Sequence, residues 1–238
     1  TAIVERESLG GICLNWGCIP TKALLRSAEV YHYMQHASAY GLVAEKISAD
    51  LNAVVQRSRG VAKQLNQGVT HLMKKNKITT FHGLGSFDSA KTVKVTKEDG
   101  SSEVLSAKNI IIASGSKPTI LPFIPVDKDR IITSTEALKM KEIPKHLIVI
   151  GAGVIGAELG SVYARLGSKV SFIEFADSMI PTMDKAMGKE LQKSIAKIGA
   201  EFYLSHKVTS AAVKGKEVTV KAQDASGKEV EINGDYCL

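Results

Sequence analysis

Residues 147–174 read LIVIGAGVIGAELGSVYARLGSKVSFIE. Four apolar residues, Leu147 to Ile150, run directly into Gly151-x-Gly153-x-x-Gly156, a helix-forming stretch follows, and a second apolar run ends on the acid Glu174. A strand, a GxGxxG turn opening a helix, and an acid at the end of the next strand, about 20 residues on, is the order of a dinucleotide-binding βαβ unit. Each residue type has a reason. Gly151 permits the tight turn, Gly153 lets backbone approach a pyrophosphate at the helix N-terminus, and Gly156 lets helix and strand pack closely. With Val154 and Ile155 these glycines form the candidate nucleotide loop. Glu174 can accept hydrogen bonds from ribose hydroxyls and would repel a 2′-phosphate, and no arginine occurs among Phe175, Ala176, Asp177 and Ser178. The site points to NAD over NADP. The competing reading is glycine-rich packing beside a surface acid.

Working outward, the chain after Glu174 ends in antiparallel hairpins: 207–213, then 217–222 turning at Asp224 to Gly227 into 228–232. Tyr236, Cys237 and Leu238 begin another buried strand, with Cys237 a core residue. The first half has the same order. Thr1–Arg6 reads as a short buried strand bearing the acid Glu5. Helices follow at 23–36 and 51–75, the second an amphipathic packing helix whose basic face (Arg57, Arg59, Lys63, Lys74) is solvated. Strands at 78–87, 92–97 and 103–106 form a meander with a turn at Glu98 to Gly100. NIIIASGSKP (109–118) then reads as a central apolar strand running into a glycine. The fold expected is α/β, with two Rossmann-like units, each a parallel sheet with helices and an antiparallel meander. The boundary falls within 127–144, giving domains 1–140 and 141–238. In the second unit a strand and glycine turn precede the acid; in the first, that piece would lie before Thr1. The chain is therefore expected to be a fragment, starting in mid-domain and stopping within the second unit's last strand.

The second informative stretch is LGGICLNWGCIPTKALL, residues 9–25, with cysteines at 13 and 18. Extended, five residues reach about 17 Å, whereas a disulfide needs Cα atoms within roughly 4.4–6.8 Å, so a bonded pair requires this segment to coil. Gly17 permits a bend, and Pro20 followed by Thr21 to Leu25 reads as a helix start. Cys18 then lies at a helix N-terminus, where dipole, free amides and the nearby cation Lys22 favour a thiolate. A disulfide closing so short a loop would stabilise the fold by only about 2 kcal/mol. Redox work, a staple, two buried thiols and a metal pair all remain open on spacing alone, although no histidine lies near and the spacing is not that usual in zinc sites.

The chain has 238 residues, 44% of them hydrophobic, and a net charge of +7. The lysines are scattered and few aromatics accompany them, so the charge reads as solvated surface and not as a nucleic-acid face. The longest apolar run, 147–157, is too short to span a bilayer and is broken by glycine. Three cysteines, two of them a candidate redox pair, suit a reducing compartment.

GGICLNWGCIPTK resembles the signature of the pyridine nucleotide-disulfide oxidoreductases, and its CIPTK form is similar to the branch acting on dihydrolipoamide. Trp16 departs from the pattern, which more often has a smaller residue there. The resemblance implies FAD and NAD as cofactors and no metal. It implies that Cys13 is the interchange thiol, that Cys18 lies against the flavin, and that Lys22 pairs with Glu158 as a buried couple beside it. Glu5, Gly10, Gly11 and Lys22 would hold the flavin together with Ala113, Ser114 and Gly115, where Ser114 stands for the family's threonine. It also implies a homodimer serving the lipoyl domain of a 2-oxo acid dehydrogenase complex, in bacterial cytoplasm or the mitochondrial matrix. The family's catalytic histidine–acid motif is not formed by His32, His36, His71, His82, His146 or His206. Two other readings stand beside this one: an NAD(P)H-dependent disulfide or mercuric reductase, and a non-catalytic redox-sensing nucleotide-binding module.

Overall fold

The computed structural model describes residues 1–238. Its contacts divide the chain into two compact units, residues 1–19 with 59–117, and residues 20–58 with 118–238.

In the first unit, β1 (Ala2–Glu5) pairs in parallel with β2 (Thr79–His82), Ala2 opposite Thr79 and Glu5 opposite His82. The chain leaves β1 through Gly10 and Gly11, both left-handed (φ +101° and +71°), a region open to glycine at little cost. It forms α1 (Gly11–Trp16), breaks at Gly17 and begins α2 (Cys18–Gln35). The helix α3 (Leu51–Lys75) has the extent that its periodicity predicts. Gly83, at φ +154°, interrupts what reads in sequence as one strand: a Cβ there would fall 2.6 Å from the Thr96 carbonyl oxygen. The chain therefore divides into β2 and β3 (Leu84–Ser89), and β3 forms an antiparallel meander with β4 (Thr92–Thr96) and β5 (Ser102–Ser106).

In the second unit, a short helix α4 (Ser134–Ala137) starts from a capping box. The Thr133 side chain accepts from the Thr135 amide, and the Glu136 carboxylate accepts from the Thr133 amide at 3.0 Å. Then come β6 (His146–Ile150), α5 (Val154–Arg165), β7 (Lys169–Ile173), α6 (Lys185–Ala196), β8 (Glu201–Tyr203), the meander β9 (Lys207–Lys214), β10 (Glu217–Gln223) and β11 (Glu229–Gly234), and β12 (Tyr236–Cys237). The parallel sheet has the order β12-β6-β7-β8, the order of one Rossmann half. Leu147, Ile148, Val149, Val170 and Phe172 are completely buried in it. Each such side chain contributes about 1.5–3 kcal/mol by leaving water.

Ile132, Ala137, Leu138 and Met140 are buried in the same core as Leu147 and Val149, and Ile131 bridges to Cys237. Two expectations need correction. β1 is half-buried at most, since only β2 lies beside it. Residues 110–113, expected as a central strand, form no ladder, and Ile111 is 90% exposed.

The reason lies in the repeat. β1, β2 and the β3–β5 meander correspond to β7, β8 and β9–β11. Even the strand ends match: Glu5 accepts from the Glu7 amide at 2.8 Å, and Glu174 from the Ala176 amide at 2.8 Å. The Gly83 amide donates to the Glu5 carbonyl, and the His206 amide to the Glu174 carbonyl. Residues 110–113 thus correspond to β12, whose ladder partner is β6. Residues 1–238 place no counterpart of β6 beside them, and a strand without a partner has no hydrogen bonds to make.

Within the second sheet, His146 Nε2 lies 2.8 Å from Ser171 Oγ, which donates to Glu201 at 3.1 Å. Burial, and then the charge of Lys169, hold the imidazole pKa below its ordinary value, against the opposing pull of Glu201 and Asp235. The folded state thus binds the proton less well than the unfolded chain. Its stability is intact above the ordinary histidine value of about 6.5 and falls as pH drops through that value. Urea midpoints at mildly alkaline and mildly acidic pH should show a smaller acid loss for His146→Gln than for the unsubstituted protein.

Candidate redox and dinucleotide sites

Cys13 sits within α1 and Cys18 opens α2, so helix, break and helix supply the coiling that the spacing requires. Both are exposed, whereas Cys237 is buried in the second unit, where burial pushes its thiol pKa up to about 12. An inert core thiol and two accessible ones are thereby distinguished.

The loop between the cysteines is held by residues that carry no motif. The buried Asn15 side chain donates to the carbonyls of Leu9 and Gly11, each at 2.9 Å. From α3, the Asn66 amide donates to the Leu9 carbonyl at 2.5 Å and to Asn15 Oδ1 at 3.3 Å. Arg59 Nη1 donates to the Asn15 carbonyl at 2.7 Å, and its guanidinium lies 4.2 Å from the Trp16 ring centre. A stacked cation of this kind is worth about 0.5–2 kcal/mol. This corrects the picture of a solvated basic face on α3: Arg59 grips the cysteine loop and Arg57 donates to the Ala23 carbonyl at 2.8 Å. Positions 59 and 66 are seven apart, two helical turns, so both project from one face. That spacing was the available signal.

The other side of the loop borders an apolar groove of about 630 Å³, lined by Gly10, Cys13, Leu14, Leu65, Val69 and Leu72 among others. Leu65 and Leu72, expected on a packed face, are 43% and 49% exposed because they form this wall. Gly115 (φ +71°) lies against α1, where a Cβ would meet Ile12 at 3.6 Å. The first unit therefore gathers Gly10, Gly11, Cys13 and Cys18, with Gly115 from the Ala113–Ser114–Gly115 segment, around one loop.

In the second unit Lys22 Nζ donates to Glu158 Oε1. The pair is not buried as expected: the Lys22 side chain is 59% exposed and Glu158 25%. In solvent such a pair adds about 0–1 kcal/mol to stability, so its interest is positional. The glycine loop follows its motif closely. Gly151 is left-handed (φ +99°), and a Cβ on Gly156 would fall 2.1 Å from the Gly151 carbonyl oxygen and 3.0 Å from Val149. Gly153 caps α5 without a side-chain bond, leaving the first-turn amides open, and a Cβ there meets nothing within 4 Å. Val154 and Ile155 are exposed on the first turn. Glu174 Oε2 accepts from the Ala152 amide at 2.7 Å, tying the acid to the loop. Unforeseen from sequence, the Ile180 amide donates to the Ala152 carbonyl at 2.9 Å, closing the 175–183 segment on the same turn.

A glycine turn with the spacing of a dinucleotide-binding loop and an accessible cysteine pair at a helix start thus occur in one chain. A family model, pyridine nucleotide-disulphide oxidoreductase, matches residues 1–238, and the chain belongs to that family. It is 42% identical over 233 residues to dihydrolipoyl dehydrogenase 1, mitochondrial, of Arabidopsis thaliana, covering 98% of this chain and 46% of that protein. It is 44% identical over 240 residues to dihydrolipoyl dehydrogenase 3 of Pseudomonas putida, covering 100% and 52%. Among solved structures, LpdA of Mycobacterium tuberculosis superposes with a TM-score of 0.87 at 25% identity, covering 100% of this chain and 51% of that one. The chain spans about half the length of the curated relatives it matches.

Proposed function

We propose that the protein oxidises dihydrolipoamide to lipoamide through a Cys13–Cys18 disulfide and passes the two electrons by way of FAD to NAD. The observation that carries this reading is the position of Cys13, an exposed sulfur on the wall of an apolar groove. An aliphatic arm ending in a dithiol suits such a groove better than a charged peptide does. One substrate thiolate attacks Cys13, the S–S bond breaks, and Cys18 leaves as a thiolate favoured by its helix N-terminus. The second substrate thiol then attacks the substrate sulfur of that mixed disulfide, releasing the cyclic disulfide and the Cys13 thiol. FAD supplies the acceptor for the electrons of the dithiol, and NAD the final hydride acceptor.

For FAD, the residues proposed are Glu5, Gly10, Gly11, Lys22, Ala113, Ser114 and Gly115. The fit rests on left-handed backbone at Gly10, Gly11 and Gly115 and on open space where a Gly11 Cβ would stand. Lys22, which pairs with Glu158, is the cation that the resemblance assigns to the flavin. For NAD, the open amides of α5, the Gly153 gap and the Glu174 carboxylate supply pyrophosphate and ribose partners. Residues 1–140 would thus serve FAD and 141–238 NAD. The resemblance further suggests a homodimer that meets the lipoyl domain of a 2-oxo acid dehydrogenase complex, in bacterial cytoplasm or the mitochondrial matrix. No helix here is long and apolar enough to cross a membrane.

The test is anaerobic addition of dihydrolipoamide and NAD to the intact protein, with and without prior alkylation of the reduced cysteines. NADH should form only without alkylation. Turnover of NADPH with glutathione disulfide or mercuric ion, and none with dihydrolipoamide, would overturn the assignment.

A further inference from the structure

The four residues between the cysteines include Asn15 and Trp16, and α3 reaches both through a single side chain. Arg59 donates to the Asn15 carbonyl at 2.7 Å and lies over Trp16, its Cζ 4.2 Å from the ring centre. Trp16 stands three residues after Cys13 and two before Cys18. We propose that Arg59 is a positioning residue for the redox pair, which holds the inter-cysteine segment through the face of Trp16 and the Asn15 carbonyl and brings a cation that favours the dithiol over the disulfide.

The geometry excludes a casual surface contact. A planar guanidinium can stack and donate in its plane at once, which an ammonium cannot do. The Asn15 side chain is fixed separately, by Asn66 and by its own bond to the Leu9 carbonyl, so what Arg59 adds is a hold on the Asn15 carbonyl and Trp16, at the end of α1 nearest Cys18. Burial lowers the pKa of Arg59 from its ordinary value with no carboxylate offsetting that cost. Its charge is consequently unneutralised by any neighbouring acid and free to favour a thiolate formed when the S–S bond opens. The other titratable group that α3 brings to this loop is His71, on the wall of the Cys13 groove.

The inference rests on the redox reading of the pair but not on flavin or NAD turnover, and its test separates the two. The intact protein is equilibrated at fixed pH in mixtures of reduced and oxidised dithiothreitol. There dithiothreitol loses two electrons and closes to its cyclic disulfide as the Cys13–Cys18 bond opens to two thiols. The mixture is quenched with N-ethylmaleimide, and the cysteine peptides are counted by mass. Arg59→Ala should shift the equilibrium towards disulfide about tenfold, which is about 30 mV for a two-electron couple. Arg59→Lys, keeping charge without the stack, should recover part of the shift, and in a Trp16→Val background Arg59→Ala should have a smaller effect than in the wild type. If Arg59→Ala and Trp16→Val each leave the equilibrium within threefold of wild type while lowering the melting temperature, the stack is purely structural and the inference falls. A shifted equilibrium in a protein that forms no NADH from dihydrolipoamide would sink the proposed function and leave this inference standing.

Discussion

Cys18→Ser should abolish NADH formation from dihydrolipoamide, by more than about 10⁴-fold, with little change in melting temperature. The scale is that of removing one member of a catalytic group that works as a unit. Cys18 is exposed at the first residue of α2, so its sulfur is not part of a packed core, and a serine hydroxyl is sterically acceptable there. What is lost is the leaving group: without a second sulfur, attack at residue 13 has no S–S bond to open. Cys13→Ser should give an equal loss, and the double variant should be no worse than either single one. Stopped-flow mixing of each variant with dihydrolipoamide, followed by NADH absorbance, would check this. Residual activity above a few per cent in Cys18→Ser would show that electrons leave by another route.

Gly156→Ala should weaken NAD binding at least tenfold and destabilise the fold by about 1–3 kcal/mol, the usual cost of an overpacked methyl. The argument is steric. The new Cβ would stand 2.1 Å from the Gly151 carbonyl oxygen, a backbone atom that cannot swing aside, and 3.0 Å from Val149 on β6. Relief requires α5 to back away from the sheet, taking with it the amides that a pyrophosphate would meet. Gly153→Ala is the informative comparison. Its Cβ meets nothing within 4 Å in the free protein, so melting should be nearly unaffected while NAD affinity falls, because the methyl enters space reserved for the ligand. Calorimetric titration with NAD and thermal melts of both variants would separate the two effects. Equal affinity in all three proteins would remove residues 151–156 from the dinucleotide site.

How far the sequence could be read depended on whether a feature was local. The second unit's strand, glycine turn, helix and acid were legible because turn chemistry and helix–sheet packing dictate residue types at fixed offsets, and the break and helix start at the cysteines because Gly17 and Pro20 mark them. α3 was legible in extent but not in role. Periodicity marks a face as apolar, yet cannot tell a wall of a groove, as at Leu65 and Leu72, from a buried contact. Arg59 was misread for a related reason: a basic residue on an amphipathic helix looks solvated until the partner that it stacks on, 43 positions earlier at Trp16, is brought to it. Residues 109–118 failed differently. Their composition is that of a central strand, and composition is silent about the neighbour a strand must have.

That last contrast reaches into the dynamics of the chain. Ile110–Ala113 and Leu147–Ile150 are both apolar runs leading into a glycine turn, yet the first forms no ladder and exposes Ile111 and Ile112, while the second buries Leu147, Ile148 and Val149 between two parallel neighbours. Their amide protons consequently belong to opposite ends of the protection scale. Within residues 1–238, the amides of β6 exchange only through openings that approach global unfolding, whereas those of 110–113 have no ladder to protect them until a partner strand lies beside them. Two runs of the same kind of sequence thus differ in protection through their neighbours and not through their side chains.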